Sequence, residues 1–264
     1  MDLGEIRVTP ISDGEAKLPA HLYFQGSTAA DWESHKDMLD GEGNYVFPLG
    51  AFVIESGGKK VLVDAGLGDV DAGFARGGAL MDSLAKAGVD PSEISTVFIT
   101  HFHVDHVGWI LTGDRITFPN AEIAITAEEL AFWQDDPPPN SMIRFDIIEA
   151  MSERTRLVAD GETLAPGVDV IALPGHTPGS AGLVISSGAE RALLLGDAIS
   201  CPVQLEESEW YSMADVDPDL AKATRETLWR ETEGTDTLVG AAHFPNLEFG
   251  RILLGEGKRY FGPL

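Results

Sequence analysis

In residues 100–108 the chain reads Thr100-His101-Phe102-His103-Val104-Asp105-His106-Val107-Gly108. The run follows the apolar segment 97–99, so its polar side chains come where a buried strand is predicted to end. Three imidazoles and a carboxylate within six residues are hard to place in a core, because each buried polar group needs a hydrogen-bond partner. Residues two apart point the same way on an extended backbone, so His101 and His103 can bind one metal ion. Asp105 and His106 can face a second ion, and this ligand set suits zinc, iron or manganese.

Three later segments also place a polar side chain where an apolar run ends. His176 lies in the Gly- and Pro-rich turn of residues 173–180, Asp197 follows the run 193–196, and His243 follows the run 237–242. Polar residues at several strand ends are the usual way in which α/β folds assemble a site. The pattern therefore predicts one metal centre built from four strand ends, with only two of the seven histidines outside it.

Short β-rich runs alternate with helical patterns along the chain. Runs rich in Val, Ile, Leu and Phe that are bounded by Gly, Pro or Asp predict strands at 5–8, 51–56, 60–63, 96–100, 122–126, 156–159, 168–173, 181–186, 191–195 and 237–241. Helical spacing predicts helices at 79–87, 127–133, 142–151 and 218–231. Strands and helices in about equal share on each side of residue 150 predict two sheets with helices outside them.

Two segments stand apart because they are irregular and rich in aromatic residues. Residues 12–48 are long for a connection, and residues 132–145 include three consecutive prolines. Such segments are often functional loops, with a small core packed beneath a loop as the alternative. We expect both segments to fold over the metal edge, with some of their aromatic residues and their neighbours lining a substrate pocket. The candidates are Phe24, Phe47, Trp109, Phe132 and Trp133.

The composition excludes several classes of protein. Eighteen basic and 43 acidic residues give a net charge of −25, which repels nucleic acid and anionic membranes. A single cysteine, Cys201, excludes a disulfide scaffold, and no run approaches the ~20 apolar residues of a membrane span. The N-terminus lacks the pattern of a signal peptide. We therefore expect a cytoplasmic protein that acts on a small molecule without nucleic-acid or membrane partners, with a homodimer left open.

The motifs resemble those of the metallo-β-lactamase superfamily. The HxHxDH run, the turn at 175–180, the strand end at 196–197 and the later His243 occur in the family's order, and residues 63–66 look like its VDxG turn. The resemblance implies a single domain over residues 1–264, with an α/β fold of the αββα sandwich type: two mixed β-sheets flanked by helices. It also implies that residues 12–48 form a loop excursion near the active site.

The resemblance also implies a role for each site residue. His101, His103 and His176 would hold one divalent ion, Asp105, His106 and His243 would hold the other, and Asp197 would bridge them. Asp64 would orient a ligand histidine. Zinc is the first expectation, with iron, manganese or cobalt as alternatives.

Within the superfamily, the closer likeness is to the quorum-quenching lactonases and methyl parathion hydrolase. It is carried by residues 103–109, 118–121, 202–205 and 242–245. Members of this group often have Tyr or His near the substrate, three residues after the bridging Asp. This chain instead has Ser200 there, which we include among the pocket candidates.

Two divalent ions can share one water and bring its pKa toward ~7, so that a bridging hydroxide attacks an electrophilic carbonyl. Asp105 is the predicted catalytic residue, which takes the proton and passes it to the leaving group. We expect hydrolysis of a neutral lactone or ester. The alternatives are hydrolysis of a phosphotriester or β-lactam at the same site, and an iron-dependent oxidation of the persulfide dioxygenase type.

Overall fold

Strands and helices alternate along the chain. The structure, a computed structural model, describes residues 1–135, 137 and 144–264. The strands within these residues are β1 (Asp2–Leu3), β2 (Ile6–Pro19), β3 (Phe24–Gln25), β4 (Asn44–Ser56), β5 (Lys59–Val63), β6 (Ala75–Arg76), β7 (Thr96–Phe98), β8 (Leu111–Thr112), β9 (Arg115–Ile116), β10 (Glu122–Thr126), β11 (Thr155–Val158), β12 (Thr163–Ala165), β13 (Val168–Ala172), β14 (Ala181–Ser187), β15 (Glu190–Leu194), β16 (Tyr211–Ser212), β17 (Leu238–Gly240), β18 (Gly250–Gly255) and β19 (Lys258–Pro263).

Within the described residues, every α-helix except α7 is shorter than the two longest strands, β2 and β4. The α-helices are α1 (Ala20–Tyr23), α2 (Leu80–Lys86), α3 (Val104–Val107), α4 (Ala127–Asp135), α5 (Phe145–Met151), α6 (Val203–Glu206) and α7 (Pro218–Thr232). Short 3-10 helices cover Asp31–Met38, Pro91–Glu93, Gly108–Ile110, Ser152–Arg154 and Pro245–Leu247. No helix in the described ranges is both long and apolar enough to cross a membrane.

Two mixed sheets form the centre of the fold. The first has the strand order β1-β2-β4-β5-β7-β10-β11, with β6 paired to β2, and the second has the order β12-β13-β14-β15-β17-β18-β19. In the first sheet β5, β7, β10 and β11 are parallel, and in the second β15 and β17 are parallel. Of these parallel strands, β7, β15 and β17 lead at their carboxyl ends into segments that carry predicted ligands, and β5 leads into Asp64.

Alternating side chains along each central strand separate the core into layers. Phe52 and Ile54 of β4 face the second sheet in an apolar layer between the two sheets, whereas Val53 between them packs on the outer side with Leu84 of α2. Helices α4 and α5 join that outer layer, and α7 covers the second sheet, where Leu228 packs in its outer layer. Helices outside two facing sheets are the predicted αββα arrangement.

Local signals explain several of the element boundaries. Gly57 and Gly58, at φ +57° and +79°, form the tight turn between β4 and β5, a conformation that glycine adopts without steric cost. The side chain of Asp217 accepts a hydrogen bond from the Leu220 amide at 3.0 Å, and Pro218 occupies the first position of α7. Each predicted strand has an observed counterpart with boundaries shifted by a few residues, except that β2 and β4 extend well beyond the predicted 5–8 and 51–56.

The expectation that residues 12–48 form one irregular excursion is wrong at both ends. Residues 12–19 belong to β2 and residues 44–48 belong to β4, and the two strands pair with each other in one long antiparallel ladder. The excursion is therefore confined to residues 20–43. Of the other aromatic-rich segment, 132–145, residues 136 and 138–143 lie outside the described residues, and so does the predicted start of a helix at Met142.

Candidate metal centre

The HxHxDH run changes direction as it leaves β7. His101 and His103 lie in the connection after the strand, and His103 is still extended at φ −66° and ψ 153°. The next residues form the single turn of α3, which carries Asp105 and His106. An extended pair followed by a helical turn aims the four side chains into one small volume, which the spacing in the sequence had suggested.

Three other loops bring their ligands to the same volume. His176 lies between β13 and β14, Asp197 follows β15, and His243 follows β17. The ligand atoms fall into groups within 4.8 Å of one another: His101 with His103 and His176, His101 with His106 and Asp197, and Asp105 with His106 and His243. The structure thus brings all seven predicted ligands together, in the two histidine groups that the family resemblance implies.

The Asp197 carboxylate lies between the two groups. One of its oxygens, Oδ2, is 3.5 Å from His176 Nε2 and 3.1 Å from His243 Nε2. The other, Oδ1, is 3.5 Å from His106 Nε2. A carboxylate that faces both groups has the position expected of a bridging ligand.

The donor atoms that remain unpaired show that the residues fit metal ions. His101 Nε2, His106 Nε2 and Asp197 Oδ1 are buried and have no hydrogen-bond partner. Leaving a buried polar group unpaired costs ~1–3 kcal/mol, so three such atoms aimed at one another need a common partner. Imidazole and carboxylate around such a point form a ligand set suited to divalent transition metals, zinc among them.

Asp64 supports the centre from behind, at the position that the resemblance implied. Its Oδ2 is 2.8 Å from His106 Nδ1, and it also accepts hydrogen bonds from the amide and hydroxyl of Thr100 at 2.8 Å and 2.9 Å. The residue has φ +62°, an uncommon conformation for a residue other than glycine. An Nδ1–H donated to a carboxylate leaves His106 Nε2 as the metal-binding atom.

A second supporting carboxylate, Asp215, was not predicted from the sequence. Its Oδ1 is 2.8 Å from His176 Nδ1, and its Oδ2 is 3.6 Å from the guanidinium of Arg225 in α7. Both Asp215 and Arg225 are 1% exposed. The loop before α7 has no motif that would have singled out this acid, because its partner lies 39 residues away.

Glu129 of α4 joins two of the ligand loops and was also missed. Its fully buried carboxyl accepts hydrogen bonds from the Phe102 amide at 2.8 Å, the Trp133 indole at 2.6 Å, the Thr177 hydroxyl at 2.6 Å and the Gly179 amide at 3.2 Å. Phe102 lies between two ligand histidines, and Thr177 follows a third. One side chain therefore fixes the spacing between the loops that carry His101, His103 and His176.

Burial controls the protonation of the histidines in the first group when no ion is bound. Burial, together with the nearby His176, lowers the pKa of His103 to about 3. Burial and the neighbouring His106 lower the pKa of His101 well below its usual value. Both imidazoles are thus neutral near pH 7, and the neutral imidazole is the form that binds a metal ion.

Charge–charge interactions dominate in the second group. Burial alone would lower the pKa of His106, but the carboxylates of Asp64, Asp197 and Asp105 raise it to about 10. Burial would raise the pKa of Asp197, yet His243 and His106 hold it well below its usual value. The second group is therefore a cluster of opposite charges, in which an incoming cation replaces the imidazole protons.

A cavity of about 840 Å³ opens onto the centre. His103, Asp105 and Asp197 form part of its polar wall. Most of the remaining lining is apolar and comes from β2, β4, the connection between β5 and α2, and the loop before α7: Ala16, Leu18, Phe47, Leu49, Leu67, Val70, Ala72, Phe74, Ala75, Met213, Ala214 and Val216. The cavity is large enough for a small molecule with an apolar substituent.

The predicted pocket residues divide into two sets. Phe47 and Trp133 line the cavity. Phe24 is instead buried among the aromatic residues of the excursion, Phe132 packs on the outer layer of the first sheet, and Ser200 is buried with its hydroxyl donating to the Asp197 carbonyl oxygen at 3.4 Å.

Trp109 is held away from the cavity by Asp13, another residue that the sequence analysis missed. The Trp109 indole donates to Asp13 Oδ1 at 2.8 Å. The same fully buried carboxylate accepts from the amides of Leu67, Gly68, Gly78 and Leu80 at 2.7–3.1 Å. Asp13 thus holds the segment 67–80, part of which forms one rim of the cavity. Trp109 donates to the same carboxylate but does not line the cavity.

Two known proteins with similar sequences are named as hydrolases of this kind, a lactonase and a probable metallo-hydrolase. An N-acyl homoserine lactonase of a Bacillus species is 24% identical over 207 residues, covering 70% of this chain and 78% of that protein. A probable metallo-hydrolase of Mycobacterium bovis is 24% identical over 176 residues, covering 55% of each protein. The chain thus spans about half the length of this mycobacterial relative.

Solved structures share the fold over the full length of the chain. AidC, a dizinc quorum-quenching lactonase in complex with a product, has a TM-score of 0.91 at 24% identity, covering 100% of this chain and 96% of that chain. The hydrolase AbOPH of the β-lactamase superfamily has a TM-score of 0.87 at 23% identity, with the same coverage. Both findings confirm the predicted fold class.

The family model of the metallo-β-lactamase superfamily matches residues 46–243, which include all seven candidate ligands and Asp64. Divalent metal ions are the cofactors that this family and its dizinc member imply. The predicted family is confirmed: this chain belongs to the metallo-β-lactamase superfamily.

Proposed function

We propose that the protein is a metal-dependent hydrolase that opens neutral lactones, with simple esters as secondary substrates. The observation that carries the proposal is the apolar cavity that ends at seven clustered metal ligands. A hydrolase for a lactone needs a water-activating centre at one end and an apolar wall for the substituent at the other. The relatives named as N-acyl homoserine lactonases support this substrate class.

Two divalent ions would be held as the two histidine groups suggest. His101, His103 and His176 would bind one ion, Asp105, His106 and His243 would bind the other, and Asp197 would face both. When bound, such ions supply an acidified water and positive charge beside the oxygen that becomes negative. We propose zinc for both positions, because the donor set contains imidazole and carboxylate and because the AidC structure is that of a dizinc enzyme.

Asp105 is the side chain that we propose for proton transfer. It lines the cavity, its side chain is 23% exposed, and its Oδ2 is 3.5 Å from His243 Nε2. Among the centre's carboxylates it is the more open one, since the Asp197 side chain is only 4% exposed. A carboxylate between the cavity and the metal centre can take a proton from the attacking water and return it to the leaving oxygen.

The walls of the cavity favour a neutral, partly apolar substrate. Val70, Phe74, Met213 and Val216 line it and are 39–59% exposed, so an apolar rim continues to the surface. Burying such area yields ~25 cal/mol per Å², enough to bind an acyl or aryl substituent. The net charge of −25 disfavours polyanionic substrates.

The same lining argues against an oxidation of glutathione persulfide. Among the described residues of the cavity, Arg144 is the one cationic side chain outside the histidines, and it pairs with Asp146 at 2.7 Å and 2.9 Å. A substrate with two carboxylates would find little positive charge there. Phosphotriesters and β-lactams are neutral or singly charged, so we retain them as competing substrates in the test.

A hydrolysis panel tests the proposal. It should contain acyl-homoserine lactones of increasing chain length, γ- and δ-lactones, aryl esters, a dialkyl aryl phosphate and a cephalosporin. We expect the highest kcat/KM on a lactone with an apolar tail, and Phe47→Ala or Trp133→Ala should raise KM more for a decanoyl than for a butyryl substrate. A phosphotriester or cephalosporin hydrolysed at least 100-fold faster than every lactone would overturn the assignment.

Metal content is the second test. Elemental analysis of protein saturated with zinc and then freed of excess metal should give two ions per chain, because seven ligands exceed the three or four that one tetrahedral zinc takes. One ion at saturation would contradict the binuclear centre. The cytoplasmic location and the homodimer stay predictions, which fractionation and light scattering can test.

A further inference from the structure

The polar side chains of the cavity wall include one hydroxyl with no place in the metal centre. Apart from the candidate ligands and their supporting carboxylate, the described lining contains three side chains with hydrogen-bond donors: Tyr23, Trp133 and Arg144. The Trp133 indole is committed to Glu129 at 2.6 Å, and the Arg144 guanidinium is committed to Asp146. Arg144 keeps other N–H groups, so outside the candidate ligands Tyr23 is the one neutral side chain of the described lining whose donor is not bound to a carboxylate.

The ring of Tyr23 is fixed on several sides. Its backbone carbonyl accepts a hydrogen bond from the Met213 amide at 2.7 Å, which ties the end of α1 to the loop before α7. The ring meets Phe24 edge-on at 4.8 Å and lies 5.2 Å from the ring of Phe47. Phe47 is in turn 5.0 Å from the imidazole of His243. The phenol is thus prepositioned one aromatic ring away from the metal centre, at low cost in conformational entropy on binding.

The hydroxyl of Tyr23 remains protonated and lies within range of the charges of the centre's carboxylates. Burial raises the pKa of this phenol well above its usual value, and the charges of Asp197 and Asp105 raise it further. The Ser212 hydroxyl is its hydrogen-bonding neighbour. The Ser212 hydroxyl accepts from the Ala214 amide and donates to the phenol oxygen, so rotation about the phenol C–O bond can turn the phenol hydrogen to a substrate oxygen without moving the ring.

We propose that Tyr23 is a catalytic residue whose hydroxyl donates a hydrogen bond to the ester oxygen on which negative charge develops as the lactone opens. The inference rests on the proposed function. No proton changes owner in this role, so Asp105 keeps the proton transfer. The hydroxyl of Ser200 cannot substitute, since it is buried and donates to the Asp197 carbonyl oxygen.

Tyr23→Phe isolates the hydroxyl because it keeps the ring and its packing. A hydrogen bond to a developing charge contributes about 10- to 100-fold in rate, so we expect kcat to fall by that factor with KM changed less than about 3-fold. Zinc content should stay at the wild-type value, and Tm should fall no further than in Tyr45→Phe, since each variant loses one buried hydroxyl. Tyr45→Phe is the matched control: Tyr45 is buried and its hydroxyl lies 3.3 Å and 3.4 Å from two backbone carbonyl oxygens, but it does not line the cavity. That variant should lose stability and keep kcat within about 3-fold.

A binding measurement separates this inference from the proposed function. Calorimetry with ring-opened N-hexanoyl-homoserine on the zinc-loaded protein should give an affinity about 10-fold lower for Tyr23→Phe and unchanged for Tyr45→Phe. An active wild type whose kcat and product affinity are unaffected by Tyr23→Phe would overturn the role of Tyr23 alone. A wild type that neither hydrolyses a lactone or ester nor binds this product would overturn the proposed function and the Tyr23 role together.

Discussion

Replacing Glu129 with Ala tests whether one buried carboxyl holds the metal-binding loops together. The change removes the acceptor of two backbone amides, those of Phe102 and Gly179, and of the Trp133 indole. The Thr177 hydroxyl loses less, because the Ser180 hydroxyl lies 2.6 Å away as an alternative partner. Water has poor access to these donors, since Glu129 is fully buried.

The expected magnitude follows from the three donors left without an acceptor. Each costs ~1–3 kcal/mol, and because neighbouring losses are not additive we expect unfolding to become easier by about 3–5 kcal/mol in total. For a chain of 264 residues this lowers the melting midpoint by about 5–10 °C. Zinc affinity should fall about 10- to 100-fold, since Glu129 spaces the loops that carry His101, His103 and His176.

Urea unfolding followed by tryptophan fluorescence, and zinc competition with a chromophoric chelator, measure the two effects. Glu128→Ala is the matched control: it removes the same charge from the same first turn of α4, but from an exposed position. Glu129→Gln should give an intermediate loss, because its amide nitrogen would face the amide N–H of Gly179. If Glu129→Ala and Glu128→Ala agree within 0.5 kcal/mol and in zinc affinity, the reasoning about the buried carboxyl is wrong.

Three further outcomes are expected. Asp215→Ala should weaken zinc binding about 10- to 100-fold and cost about 3–5 kcal/mol of stability, because His176 loses its acceptor and Arg225 loses its buried partner. Chelator competition and urea unfolding measure the two effects, and wild-type values in both would refute the supporting role of Asp215. Burial raises the pKa of the Cys201 thiol to about 12, so a disulfide reagent at pH 8 should label it only after unfolding, and prompt labelling of the folded protein would contradict its burial. Removing metal with a chelator should lower the melting midpoint by several degrees, since an ion present at 100 times its Kd stabilises the folded state by ~2.7 kcal/mol. Added zinc should restore the midpoint. An unchanged midpoint would speak against ions bound to the folded state.

The candidate metal ligands could be proposed from the sequence because their signal is local. His101, His103, Asp105 and His106 lie within six residues, and the other three ligands each end an apolar run. Strand ends of this kind meet at one edge of a sheet, so short segments were enough to predict a shared site. The same local rules located every predicted strand and the start of α7.

The extent of the strands was harder to predict, because pairing partners decide it. Gly and Asp around residue 13 and the aromatic residues near residue 45 suggested a loop. The structure continues β2 and β4 through both regions, with the register shifted between Ser12 and Gly14. A bulge of this kind lets a strand pass an irregular position, and only the pairing shows it. The same irregularity turns the carboxyl of Asp13 toward the amides at the cavity rim.

Residue types at short spacing were enough to predict the fold family, which is confirmed, and to propose the seven ligands and Asp64. Which aromatic residues line the cavity depends on the packing of the whole fold: Phe47 and Trp133 line it, whereas Phe24 and Trp109 pack elsewhere. The packing also brought the buried carboxyls of Asp13, Glu129 and Asp215 to donors between 3 and 96 residues away, most of them on other elements. The partner of a side chain on another element depends on how the layers of the fold pack. Residue spacing within one segment carries no information about that packing.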